Sequence, residues 1–176
     1  GQLNEDFRDL NYDLFIMDYR GFGKSKGKVS QANFYRDAEL CYDHLIERYP
    51  PQEIVIFGRS MGSGPASYLA AKVEAQQLIL ETPFYSIKQL FYAYYPFFFF
   101  LFVFRFHFPN YKYLKEVKAP ITIFHGTDDY VVPLKASIKL KEVLKPRDEY
   151  ILIKGGSHSD LGTFEVYQDK LKSALE

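Results

Sequence analysis

The sequence predicts one α/β domain over residues 1–176: a mostly parallel sheet of about five strands, flanked by helices, with an aromatic, lid-like insertion over residues 84–113. Two observations carry this. Short apolar runs alternate with longer amphipathic ones along the whole chain, the pattern of βα units built on a parallel sheet. At 176 residues and 47% hydrophobic content, the chain can bury one good core and does not call for a second domain.

The expected strands are residues 13–18, 53–57, 77–80, 121–124 and 149–153. Between the first two, Phe34, Ala38, Cys41, Leu45 and Ile46 recur at helical spacing, and Pro50 and Pro51 close a crossover helix over 30–49. A helix over 63–73 contains Gly64, Ala66, Ala70 and Ala71, small enough to let it lie close against the sheet. Further helices fit 134–144, ahead of Pro146, and 161–175. Residues 84–113 break the rhythm: they are crowded with Phe and Tyr, contain Pro96 and Pro109, and show no clean period. Their apolar run, 97–104, lies between Pro96 and Arg105 and falls far short of the roughly 18 to 20 residues needed to span a bilayer.

Charge and cysteine content exclude several classes of function. Lys plus Arg equals Asp plus Glu at 22 each, so no net field draws the chain to nucleic acid. The single cysteine, Cys41, rules out an internal disulfide and reads as a packed thiol on the first helix. The four histidines form no H-E-x-x-H or close Cys/His cluster, so neither a metal nor an organic cofactor is expected. Gly23-Lys24-Ser25 resembles the end of a phosphate-binding loop, but Asp18 stands where that loop needs glycine. Nothing in the opening residues reads as a signal peptide, and neither compartment nor oligomeric state is selected.

The chemistry is concentrated in Gly58-Arg59-Ser60-Met61-Gly62, which follows the apolar run 54–57 and opens a helix. This is G-x-S-x-G in its required strand, turn and helix setting. The turn is so tight that the serine takes strained backbone angles, and side chains at the two glycines are expected to collide with neighbouring elements. Ser60 is therefore the candidate nucleophile. The helix that starts after it aims the Met61 N–H at a developing oxyanion.

A serine nucleophile needs an imidazole within reach and a carboxylate behind it. His158 lies in Gly155-Gly156-Ser157-His158, a loop between the last strand and the last helix, where sites on parallel sheets assemble. His44, on the first helix, His107, in the insertion, and His125, at a strand end, fit less well. The acid is sought in His125-Gly126-Thr127-Asp128-Asp129-Tyr130-Val131-Val132-Pro133, with Asp128 and Asp129 adjacent and Glu81 an alternative at the end of the strand after the elbow.

These motifs, together with Met17-Asp18-Tyr19-Arg20-Gly21-Phe22-Gly23-Lys24-Ser25, resemble the α/β-hydrolases of the esterase, lipase and acyl-thioesterase branch in order and spacing over nearly the whole chain. In that branch H-G-x-x-D-x-x-V-P carries the acid at its fifth position, so the resemblance implies Asp129 and leaves Asp128 as a loop or capping residue. It also implies an upstream strand whose loop donates a second oxyanion N–H. That strand is missing here, and residues 2–10 look like the tail of the helix after it, so the chain is expected to be N-terminally incomplete.

The expected function is a serine hydrolase acting on an ester or thioester with an apolar acyl group: Ser60 attacks, His158 carries the proton, Asp129 orients His158 and Met61 N–H holds the oxyanion. The resemblance points to membrane-associated acyl-protein thioesterases among other hydrolases. A small-molecule or lipid-like acyl substrate is the expected partner, and the apolar insertion would also allow contact with a membrane surface. The alternatives are a catalytically weak or silent binding module of the same fold, and an acyltransferase.

Overall fold

The computed structural model describes residues 12–94 and 106–175. The 2–10 segment and the 97–104 aromatic run lie outside them.

Four of the expected strands form: β1 (Val55–Arg59), β2 (Gln77–Glu81), β3 (Ile121–Gly126) and β4 (Glu149–Ile153). They pair in the order β1-β2-β3-β4, all parallel. β2 and β3 are central and buried at every residue, which is why they read as continuous apolar runs rather than alternating ones.

The segment 13–18 forms no strand among the described residues. A strand exists through the ladder bonds of a neighbour, and here β1 pairs with β2 alone. Leu14, Phe15 and Ile16 stand exposed as a result.

Five helices surround the sheet in the described residues. α1 (Gln31–Leu45) starts at Ser30, whose Oγ accepts the Asn33 N–H at 3.2 Å, and stops short of the proline pair that ends the segment. α2 (Ser63–Ala70) follows a 3₁₀ turn, Ser60–Gly62. α5 (Glu165–Leu175) follows another, Leu161–Thr163. The insertion, expected to be aperiodic, contributes α3 (Ile87–Tyr94) and α4 (Asn110–Glu116). Ser86 Oγ accepts the Gln89 N–H at the start of α3, a cap that the surrounding aromatics hide in the sequence.

The helix expected over 134–144 is replaced by two 3₁₀ segments, Leu134–Ala136 and Ile138–Val143. Ser137 separates them. It is fully buried, with its Oγ held at 2.8 Å by the Tyr150 hydroxyl, and that tether sets the backbone where a regular helix would turn on.

The core has two layers across the sheet. Leu78, Leu80, Ile121 and Ile123 pack with Ala38, Leu69 and Leu114 on one face, while Ile79, Phe124 and Ile153 pack with Tyr167 and Leu171 of α5 on the other. A third cluster, Phe34, Tyr35, Phe84 and Phe108, ties the insertion to α1. Tyr35 stacks on Tyr68 with ring centroids 3.8 Å apart, and Phe34 meets Phe108 edge-on at 5.9 Å.

Candidate active site

β1 ends at Arg59 and the chain turns at Ser60, which has φ 50°, a left-handed conformation costly for a residue with a side chain. The turn closes because Gly58 lets α2 approach: a Cβ there would lie 2.5 Å from Ala66 Cβ and 2.8 Å from Gly62 O. Gly62 differs from the sequence expectation. Its φ is −63° and the nearest atom to an added Cβ is Tyr19 Oη at 3.7 Å, so no collision requires glycine at that position. Met61 is exposed and lies in the first turn after the strand, where a backbone N–H has no partner inside the helix.

The loop after β3 folds around Asp129. Its Oδ1 accepts the N–H groups of Val131 and Val132 at 2.8 and 2.7 Å, and its Oδ2 lies 2.9 Å from His158 Nδ1. Burial alone would raise the Asp129 pKa, but the His158 hydrogen bond and the Val132 and Val131 N–H groups outweigh it and hold the carboxyl below the ordinary range. An ionised carboxylate only accepts, so His158 Nδ1 carries the hydrogen of this bond, and in the neutral ring that tautomer leaves the lone pair on Nε2. Among the described residues no hydrogen bond joins Ser60 Oγ to the His158 ring.

The other candidate acids are engaged elsewhere. Asp128 is exposed and accepts the Thr127 hydroxyl at 2.8 Å. Glu81 is buried at the end of β2, where Arg59 Nε lies 3.3 Å from Oε1 and Tyr167 donates to Oε2 at 3.2 Å. Arg59 was not singled out in the sequence, yet it also donates from Nη2 to the His158 carbonyl at 3.0 Å.

His125 is wholly buried beside Asp129 and donates from Nε2 to the Val132 carbonyl at 2.9 Å. Burial pushes its pKa down, which favours the neutral ring. The loops that carry Asp129 and His158 also touch directly. Asp128 N–H donates to Gly156 O at 2.9 Å, and a Cβ on Gly126 would lie 2.1 Å from that same oxygen.

Cys41 is half-buried with Sγ 3.3 Å from Met17 Sδ; burial, and then Asp37, push its thiol up, which suits packing rather than reaction. A cleft of about 480 Å³ runs between Phe15, Ile16 and Met17 on one side and Leu40 and Cys41 of α1 on the other. None of Ser60, Asp129 or His158 lines it.

Comparison with known proteins adds family and fold. The family model described as "Serine aminopeptidase, S33" matches residues 1–115, more than half of the chain. Alpha/beta hydrolase domain-containing protein 17B from Xenopus laevis and from Homo sapiens are each 31% identical over 165 residues, covering 93% of this chain and 56% of the relative. Human alpha/beta hydrolase domain-containing protein 17C is 29% identical over 168 residues, covering 94% of this chain and 50% of the relative. The chain thus spans about half the length of these relatives. Among solved structures, an esterase from Pyrococcus furiosus superposes with TM-score 0.75 at 21% identity, over 99% of this chain and 74% of that one. A monoacylglycerol lipase from Paleococcus ferrophilus gives TM-score 0.71 at 17% identity, over 99% of this chain and 87% of that one. At those identities the likeness speaks for the fold.

Proposed function

This chain belongs to the serine aminopeptidase family of the α/β-hydrolase superfamily, and from that premise we propose that it carries the core of a serine hydrolase for esters or thioesters with an apolar acyl group. The observation that carries the reading is the Asp129–His158 pair at 2.9 Å, supplied by the loops after β3 and β4, together with a strained serine at the end of β1 on the same parallel sheet.

In this reading Ser60 Oγ attacks the substrate carbonyl while His158 Nε2 takes its proton, forming one C–O bond and a tetrahedral oxyanion. Met61 N–H donates to that oxyanion. Collapse breaks the bond to the leaving alcohol or thiol, which receives the proton from His158. Water then repeats the sequence on the acyl-enzyme and returns Ser60. Asp129 stays ionised throughout and stabilises the imidazolium.

Support for an apolar acyl group comes from the aromatic composition of the insertion, read as a lid, which favours hydrocarbon over charged groups; Phe84 and Phe108 are themselves buried with Phe34 and anchor the insertion to α1. The test is labelling of the folded protein with a fluorophosphonate, mapping the modified peptide by mass spectrometry, with Ser60→Ala beside it. An adduct on Ser60 that the variant lacks is expected. A well-folded protein that takes no label would sink the hydrolase reading in favour of a silent binding module.

A further inference from the structure

We propose that Arg59 is a positioning residue that fastens the backbone of His158 to the strand end carrying Ser60; the proposal deepens the hydrolase reading above and rests on it.

Asp129 fixes one atom of the His158 ring, Nδ1. One anchored atom does not orient an imidazole, because the ring still swings with its own peptide. The preceding loop is held at Gly155, whose N–H donates to Thr127 Oγ1 at 2.8 Å, at Gly156, whose N–H donates to Ile153 O at 3.1 Å, and at Ser157, whose N–H donates to Asp160 Oδ1 at 2.6 Å. The peptide of His158 itself is held through its carbonyl, by Arg59 Nη2 at 3.0 Å.

Arg59 is in turn aimed from behind. Its Nε faces Glu81 Oε1 at 3.3 Å, its register partner on β2, and the other oxygen of Glu81 accepts from Tyr167 of α5 at 3.2 Å. Tyr167 is fully buried against Phe124 of β3, with ring centroids 4.6 Å apart. A planar guanidinium holds Nε and Nη2 at fixed separation, so Glu81 on one side sets where Nη2 meets the His158 carbonyl on the other. Because Arg59 immediately precedes Ser60, the same side chain refers the base to the nucleophile's own strand. Supporting hydrogen bonds of this kind keep a reacting pair within the narrow geometry that chemistry needs.

The test uses the full-length protein with Arg59→Met, Arg59→Lys and the double variant Arg59→Met/Glu81→Gln. The double variant removes the buried carboxylate charge that Arg59→Met leaves without its guanidinium, and so separates a stability loss from a positioning loss. Two readouts are taken: hydrogen–deuterium exchange of the peptide spanning 155–161, and the second-order rate of fluorophosphonate labelling at Ser60.

In the double variant we expect the 155–161 peptide to exchange roughly tenfold faster with the rest of the domain unchanged, and labelling to slow by on the order of 10- to 100-fold. Arg59→Lys, which has no rigid fork, should fall between it and the wild type. Wild-type exchange at 155–161 in the double variant would overturn the latch whether or not Ser60 labels. Labelling restored to the wild-type rate by Glu81→Gln would reduce Arg59 to a partner of a buried charge. If the wild type takes no label while exchange still rises, the hydrolase reading fails and the positioning role fails with it.

Discussion

His125 Nε2 lies 3.9 Å from Asp129 Oδ2, yet it donates to the carbonyl of Val132 and leaves that carboxylate oxygen to His158. Two imidazoles thus flank one carboxylate. Burial disfavours charge on the inner one, and its Nε2 hydrogen goes to the Val132 carbonyl rather than to Asp129.

That arrangement has a pH signature. The His125 pKa is lowered from 6.5 in the folded protein and returns near that value on unfolding, so below about pH 6.5 the unfolded chain gains a proton that the folded one refuses. Stability should therefore fall as pH drops from 7.5 towards 5. Asp129, also lowered, loses its contribution only further down, as pH falls through its folded value below 3.8. Urea midpoints measured across this range should show a shallower slope for His125→Gln; an unchanged slope would assign the dependence elsewhere.

Asp129→Asn should keep the fold and lose on the order of 10⁴-fold in ester hydrolysis. The amide would still accept the Val131 and Val132 N–H groups through its oxygen, but its NH₂ would face His158 Nδ1 and force the hydrogen onto Nε2. Asp128→Asn, at an exposed turn, should stay within about threefold of wild type. Rates on a short-chain nitrophenyl ester decide between them, and the reverse ranking would move the acid to Asp128.

The two glycines of the elbow should separate sharply. Gly58→Ala meets Ala66 and the Gly62 carbonyl and should destabilise the protein by about 1–3 kcal/mol or more. Gly62→Ala, with φ −63° and room at 3.7 Å, should stay within about 0.5 kcal/mol. Chemical denaturation of both variants tests this, and equal losses would contradict it.

The elements legible in the sequence were those whose cause is local. β2 and β3 are buried on both faces, so runs such as Leu78-Ile79-Leu80 announce them directly. Ser60 and His158 were singled out as candidates by the glycine-bearing turns around them, whereas the choice of Asp129 over Asp128 came from the family resemblance. The unread parts depend on pairing at a distance. The 13–18 segment has a strand's composition, but a strand needs a neighbour. The break at Ser137 depends on Tyr150 arriving from β4. Arg59 looks like a variable residue inside a motif until parallel register sets it opposite Glu81 and loop closure brings the His158 carbonyl to it, 99 positions later in the chain. A long cation beside the serine, with an acid ending the next apolar run, was the available signal.

The contact between Gly126 and Gly156 divides the labour of change in this molecule. At this point the loops bearing Asp129 and His158 meet backbone to backbone, and a Cβ added at Gly126 would strike the Gly156 carbonyl. A side chain there would pry the two loops apart, whereas Phe84 and Phe108 of the insertion pack in a separate cluster with Phe34 and Tyr35. Such a fold can vary its insertion while glycine keeps the spacing between these two loops fixed.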